Sequence, residues 1–478
     1  MRRLLPLLLA ACAGSAPPDH PAPAGVEKYA DAVDWKAAGD EAAQLLSGYL
    51  QVDTFNPPGN ETRGAEYLAA VLQREGIEHR IVEGAPGRGN LIARLPATDA
   101  ATEKPLCLLS HIDVVPAEAQ MWKHPPLSGA IAGPPDGGSE PYVWGRGAID
   151  MKGMGIVELE ALLLLKRQSV PLKRDVVLLA VADEEVDELG MKHVTKAEWP
   201  ECAHLINEGG LGLEGAITEG QTVFAISVAE KGVLWLRLKA KGEAGHGSTP
   251  MPGRAPMELL RAASALMARE PVPRLQPATY ELLRRAGEQQ GGFSGFVMQR
   301  PALVDLLVKG KLLAKPTTRA SITDTCQVTG WSGIGSAPNV IPSEAYATID
   351  CRLLPGTPPV ALLAELNARI KDIPGVTLEV VSASTANGST WDDAFFAALA
   401  RNAVRGRTDA VAGPVVSVGY TDSLLARPLG TRAYGFIPFE LTPEELATMH
   451  GRDERVSVAN LRRGTEVLFR SVVDVVAK

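Results

Sequence analysis

Three short apolar runs of the sequence each lead into side chains able to hold a cation or carry a proton. Residues 105–110 (PLCLLS) run into His111-Ile112-Asp113, 174–182 (RDVVLLAVA) into Asp183-Glu184-Glu185, and 203–207 into Glu208-Gly209-Gly210. Trp144-Gly145-Arg146-Gly147-Ala148-Ile149-Asp150 is a glycine-rich loop ending in a carboxylate, and Met449-His450-Gly451 adds a second imidazole. Carboxylates gathered closely repel one another, and some stay protonated unless a cation neutralises them. Imidazoles mixed with carboxylates suit zinc, with cobalt or manganese as substitutes. Two such ions about 3.5–4 Å apart share a carboxylate and a water, and a carboxylate left off the metals can act as general base. Singly, each piece has a plainer reading: a lone histidine is usually structural, and the acidic run 183–188 is usually a solvated loop. Position sets them apart, because ligands of open parallel sheets gather beyond the carboxyl ends of the strands. Ile112 separates His111 from Asp113, so both side chains face one way if the strand extends that far. Asp113 can then accept from the second ring nitrogen of His111 and orient it.

The elements that must position these groups read as an α/β fold. Continuous apolar strands at 105–110, 174–182, 203–207 and 415–418, with a helical stretch at 151–167, predict a mostly parallel sheet flanked by helices. The middle of the chain differs. Strand-like runs at 223–229 and 233–241 flank the turn Glu230-Lys231-Gly232, further runs lie at 345–353 and 376–381, and helical stretches occupy 255–268 and 360–371. This predicts a small antiparallel sheet carrying two helices, an α+β domain inserted at 229–380. The outer domain then spans 29–228 and 381–478, resuming with a helix at 392–403. Residues 276–318 give no clear pattern, and no internal repeat is visible.

The 478 residues are 45% hydrophobic and carry a net charge of −8. Such a chain can bury a large core without disulfide staples. It gains nothing from counterion release on nucleic acid, so no nucleic-acid partner is expected. No apolar run approaches the roughly 18–20 residues needed to span a bilayer. Arg2 and Arg3 precede an apolar stretch at 4–11, the build of a secretory signal, and Leu9-Ala10-Ala11-Cys12 resembles a bacterial lipobox. Residues 1–28 are therefore expected to be a leader and Ala/Pro-rich tether; the plainer reading is a frayed apolar N-terminus. A lipid on Cys12 is the one expected membrane contact. The expected location is the periplasm or a membrane-anchored lipoprotein, or the cytoplasm if the leader is not a signal. Four cysteines remain, Cys107, Cys202, Cys326 and Cys351, with no Cys-x-x-Cys pair, so a thiolate zinc site is not expected. Buried free thiols are the simplest expectation, and a Cys326–Cys351 bridge stays open. Gly210-Leu211-Gly212-Leu213-Glu214-Gly215 fits a dinucleotide-binding pattern, but no helix is predicted after it and Glu208 opposes phosphate. The absence of a G-x-S-x-G elbow disfavours a serine nucleophile.

At these residues the sequence resembles the superfamily of di-zinc amidohydrolases that includes aminoacylase-1, acetylornithine deacetylase, succinyl-diaminopimelate desuccinylase, glutamate carboxypeptidase and carboxypeptidase S. The stretches LLSHIDVVP, WGRGAIDMKG, VADEEVDE, INEGG, GEAGHGSTP, APNVIPSEA, DCRLLPG, GYTDS and MHGRDERV stand in the family's order from about residue 40 onward. Around Trp122, Pro125, Pro126 and 206–210 the text is most similar to the carboxypeptidase S and secreted N-acyl-amino-acid hydrolase branch, and Glu208 tilts away from glutamate carboxypeptidase.

The resemblance implies a zinc-exopeptidase type sheet whose inserted domain serves as lid and homodimer contact, with two zinc ions per subunit. His111, Asp150 and Glu208 would bind one ion, and Asp150, Glu185 and His450 the other, with Asp150 bridging. Glu184 would be the general base, Asp113 the partner of His111, and the peptide after Asp150 cis. His246 matches a histidine that reaches the partner subunit's site and steadies the oxyanion. Arg352 matches an arginine that grips a substrate carboxylate, a task suited to a guanidinium fork. Asn339 matches a residue that holds substrate or oxyanion, and Thr421 and Asp422 match a loop lining the pocket. The implied activity is a carboxypeptidase-type metallopeptidase, cleaving short peptides next to a free carboxylate by attack of a metal-bridging hydroxide. Hydrolysis of N-acyl-amino acids is the alternative. A non-catalytic metal- or peptide-binding module on the same fold is a third reading; Glu184 beside every ligand position weighs against it.

Overall fold

The structure, a computed structural model, describes residues 20–249, 251–333 and 337–478; Cys12 and most of the expected leader lie outside them. Strand Leu106–His111 is buried along its whole length. Its alternate residues serve two cores: Leu106 and Leu108 join the large cluster on one face, Cys107 and Leu109 the smaller one on the other. This is why the run reads as continuously apolar rather than alternating. Helices Trp35–Leu50, Lys152–Arg167 and Val458–Val476 pack together on the first face. Leu189–His193 contributes Met191 to the second.

The strands of the large sheet run in the order Glu78–Glu83, Gly89–Leu95, Val176–Val181, Leu106–His111, His204–Asn207, Arg432–Gly435, Thr222–Glu230, Gly212–Glu214, Glu440–Leu441, with Ala410–Ser417 pairing the Thr222–Glu230 strand. The centre, from Val176–Val181 to Arg432–Gly435, is parallel, and antiparallel pairs lie outside it. The fold is thus α/β with a largely parallel central sheet flanked by helices.

A second, four-stranded antiparallel sheet runs Thr325–Ser332, Glu344–Leu353, Gly232–Lys241, Val376–Ser384. It carries helices Ala255–Met267 and Pro359–Ile370 over a hydrophobic core of its own. Lys231 is the single residue between the last strand residue in the large sheet and the first in the small one. The unpatterned stretch folds as a series of helices from Pro277–Gln290 to Pro316–Ile322. Pro277–Gln290 packs against Ala410–Ser417 of the large sheet, not on the small one.

The cysteines correct the free-thiol expectation. Cys326 and Cys351 face each other on adjacent antiparallel strands and are bridged, and Cys107 is bridged to Cys202 with Cα atoms 5.8 Å apart. The dinucleotide-like segment 210–215 spans the short strand Gly212–Glu214, which pairs antiparallel with Thr222–Glu230; no helix begins between them. No helix among the described residues is long and apolar enough to cross a membrane.

Candidate active site

The neighbouring parallel strands Val176–Val181, Leu106–His111 and His204–Asn207 end side by side, and His111, Glu184, Glu185 and Glu208 lie at or just past those ends. Asp150 sits at the cis Asp150–Met151 peptide, just before helix Lys152–Arg167. Its carboxylate faces both imidazoles, with Oδ1 3.1 Å from His111 Nε2 and Oδ2 3.0 Å from His450 Nε2. Glu208 Oε1 is 3.7 Å from His111 Nε2, and Glu185 Oε1 is 3.1 Å from His450 Nε2. The structure therefore brings together all five residues expected as ligands. Glu184 belongs to the same cluster: it, His111 and Glu208 each offer a donor atom within 4.8 Å of the others.

Donors 2.0–2.2 Å from one tetrahedral zinc lie about 3.4 Å apart, close to these separations. The electrostatics also fit cations. Burial works against a charged His111, yet Asp150, Glu208 and Glu184 outweigh it and hold its pKa well above the ordinary imidazole value. His450 is pushed up to about 10 by Asp150 and Glu185. Burial, then the nearby charges of Glu208 and Asp150 respectively, push Glu184 and Glu208 well above the carboxylate range. The surroundings of these groups thus favour positive charge, as expected of a donor set built for divalent ions.

Asp113 is near His111, but in a different relation from the expected one. The strand stops at His111. Nδ1 of His111 therefore donates to the Asp113 backbone carbonyl at 2.9 Å, while the carboxylate stays 3.7 Å away. A carbonyl only accepts, so Nδ1 carries the hydrogen and Nε2 presents its lone pair to the cluster. The Asp113 carboxylate instead accepts the backbone N–H groups of Glu184 and Glu185, both at 3.1 Å, and Asn56 Nδ2 at 2.8 Å. It pins the turn that carries the expected base.

Glu454, Asn56, Arg88 and Glu230 support the site or the residues expected to line its pocket, and they escaped sequence reasoning. Glu454, fully buried, accepts from the backbone N–H groups of Gly147 (3.0 Å), Ile149 (2.8 Å) and Asp150 (3.1 Å) and pairs with Arg146. Strand Arg455–Ser457, next to it, pairs with Tyr142–Trp144, so the His450 and Asp150 loops share one support. Gly147 has a φ of +90°, a turn that a side chain resists. Asn56 also donates to Asp183 at 2.8 Å, and Arg88 pairs with Asp183 and Glu61. Asp422 is buried with Oδ1 unpartnered; burial and then Glu188 raise its pKa well above normal. Thr421 beside it is held by Glu230 through both its N–H and its hydroxyl. The one available signal for Glu454 was that it lies within a motif already carrying His450.

His246 and Asn339 are both exposed and meet across the short Gly245–His246 and Val340–Ile341 pairing, Asn339 Nδ2 lying 3.4 Å from His246 Nε2. Nδ1 of His246 accepts the Ser248 backbone N–H at 3.2 Å. No hydrogen bond or ion pair among the described residues links this pair to His111 or His450. Arg352 meets the large domain through Tyr420. Asp350 grips its Nε at 2.8 Å, and its guanidinium sits 5.4 Å from the ring centre of Tyr420, whose pKa senses Glu188 and Glu184.

A family model described as peptidase family M20/M25/M40 matches residues 107–474. The human N-fatty-acyl-amino acid synthase/hydrolase PM20D1 is 28% identical over 450 residues, covering 90% of this chain and 86% of that protein. Probable carboxypeptidase S-like 2 of Dictyostelium discoideum is 28% identical over 379 residues, 77% of this chain and 71% of that protein. Among solved structures, the M20 family metallo-carboxypeptidase Sso-CP2 of Sulfolobus solfataricus superposes with a TM-score of 0.66 at 19% identity, covering 91% of this chain and 99% of that one, a likeness of fold.

Proposed function

The chain belongs to peptidase family M20/M25/M40, and from that premise we propose that it is a di-zinc hydrolase cleaving the amide bond next to a free carboxylate in short peptides. The observation that carries this reading is the Asp150 carboxylate, which offers one oxygen toward each imidazole. His111, Asp150 and Glu208 would hold one ion, and Asp150, Glu185 and His450 the other; bound there, the pair supplies Lewis acidity to the scissile carbonyl and to a water. Glu184 takes the proton from that water and returns it to the leaving amine. Asp113 holds the Glu184 backbone in place. Arg352 receives the substrate carboxylate; Asp350 occupies one edge of its fork, and Nη1 has no protein acceptor among the described residues. His246 donates Nε2–H to the carbonyl oxygen as charge develops there. Because His246 is exposed and makes no hydrogen bond or ion pair to the cluster among the described residues, it reaches a site through a homodimer contact or closure of the inserted domain, proposed at 229–380 with the helices from 277 to 322 as an excursion beside the large sheet. Asn339 accompanies it.

Hydrolysis of N-acyl-amino acids is the second reading, supported by likeness to the human N-fatty-acyl-amino acid enzyme over 90% of this chain. Both reactions leave a free amino acid carboxylate for Arg352 and differ in what lies across the bond. Export is supported by the basic-apolar N-terminal text together with two disulfides, which persist in oxidising compartments. The deciding experiment is a hydrolysis panel of dipeptides, their C-terminal amides and N-acyl-amino acids, run before chelation, after it and after zinc is restored. Cleavage is expected only beside a free carboxylate, lost on chelation and recovered with zinc. Undiminished turnover by metal-free protein would overturn the reading.

A further inference from the structure

The helical segment that gave no sequence pattern carries the most exposed large apolar side chains of the described residues. Phe293 is 78% exposed and Leu306 75%, with Leu307 at 48% and Phe296 at 46%. A soluble face rarely gathers so much apolar surface without a use for it. Phe293 and Leu307 border an open groove of about 380 Å³ with an apolar floor that includes Leu283 and Met298, and Lys311 and Lys315 stand at its rim.

Charge complementarity indicates what the face meets. Between residues 293 and 319 the basic residues are Arg300, Lys309, Lys311, Lys315 and Arg319 and the acidic one is Asp305, in a chain whose net charge is −8. Asp305 is already engaged by the Tyr280 hydroxyl at 3.0 Å and by Lys309 at 3.8 Å. Arg300 lies over the Phe296 ring, and Arg319 donates to the Leu313 carbonyl. Lys311 and Lys315 have no ion-pair partner among the described residues. Protruding Phe and Leu side chains bordered by unpaired lysines match the chemistry of an anionic lipid surface: the apolar groups enter the acyl boundary and the ammonium groups meet the headgroups. We infer that this face, built from 292–322 on the outside of the large domain, docks the enzyme on an anionic bilayer.

The test uses the full chain carrying Cys12→Ser, so that no attached lipid contributes. It is sedimented with phosphatidylcholine vesicles with and without about 30% phosphatidylserine. Partition onto the anionic vesicles is expected, weakening as salt is raised. Lys311→Glu/Lys315→Glu should weaken it by at least about tenfold. Phe293→Ser/Leu306→Ser should abolish it. Both variants should keep the parent's thermal midpoint and its turnover of a water-soluble substrate. Three outcomes overturn the inference: no partition by the parent, equal partition by the variants, or variants that turn a dimer into a monomer in analytical ultracentrifugation, which would assign the face to a second copy. Saturable binding of monomeric laurate without vesicle partition would overturn it too, leaving the groove a fatty-acid site.

Discussion

Glu184 and its amide analogue have nearly the same shape, but only the carboxylate accepts a proton. Glu184→Gln should therefore lower kcat by about 10²–10⁴-fold. Metal analysis should still find close to two zinc ions per chain, because the five expected ligands are untouched; zinc loss would move Glu184 from base to ligand. Glu454 makes a different prediction. Its carboxylate is fully buried, holds Arg146 and caps three N–H groups of the loop leading to Asp150. Glu454→Ala should cost about 3–5 kcal/mol in denaturant unfolding by stranding the Arg146 charge. It should also weaken zinc retention in a chelator competition, since Asp150 loses its support. The contrast between these residues shows what was legible. His111, Glu185 and Glu208 could be read because an apolar strand precedes each. Glu454 acts through backbone N–H groups some 300 residues away in sequence, and backbone donors carry no residue signature. Asp113 lies beside His111, but the strand ends two residues before it, so its carbonyl takes the contact expected of its carboxylate, which holds the Glu184 backbone instead.

Helix Lys152–Arg167 follows the Asp150 loop and is buried along nearly all its length, including two glutamates. Arg167 ties its end to Glu41 of Trp35–Leu50, at 2.8 Å through two donors, and to Glu75 just past Glu61–Arg74. Glu160 lies 3.6 Å from the same guanidinium with its own side chain fully buried. Burial, and then Glu41, raise its pKa to about 8 from an ordinary 4.5. A carboxyl whose pKa rises on folding binds its proton more tightly in the native state. Its contribution to stability is complete below about pH 4.5 and is lost as pH climbs through about 8. Urea unfolding should therefore show stability falling across that window, by up to about 1.4 kcal/mol per pH unit from this one group. Glu160→Gln should flatten the slope by that amount; an unchanged slope would mean Glu160 is ionised in the fold. The sequence displays this helix well, because its apolar residues are nearly continuous. The helices between 277 and 322 were illegible for the opposite reason: their outward faces carry Phe293 and Leu306, which blurs the period that marks a half-buried helix. The Cys107–Cys202 bridge was hidden as well. Cys107 reads as one more apolar residue in a buried strand, and its partner is 95 positions away.

At the scale of the whole molecule, two sheets with separate cores follow one another across Lys231, and the expected machinery is split between them. Of the expected metal ligands, His111, Glu185 and Glu208 lie at or just past large-sheet strand ends, as does Glu184, and Asp150 and His450 come from loops that meet them; Arg352 is on the small sheet, and His246 and Asn339 sit at the separate two-stranded pairing Gly245–His246 with Val340–Ile341. Arg352 meets the large domain within its own chain through Tyr420, whereas His246 and Asn339 lie against each other with no hydrogen bond or ion pair to the cluster among the described residues. A histidine that serves the partner's site makes each active site a product of two chains, and this can be measured by mixing. Glu184→Gln and His246→Ala should each be nearly inactive alone. In a mixed dimer, one site joins an intact Glu184 from the His246→Ala chain to an intact His246 from the Glu184→Gln chain. Equal co-expression gives half mixed dimers, each with one complete site, so activity should return to about a quarter of wild type. If His246 instead swings onto its own chain's cluster when the domains close, no mixed dimer holds a complete site and activity stays at background. The two arrangements use the same residues and the same chemistry, and this mixing experiment separates them.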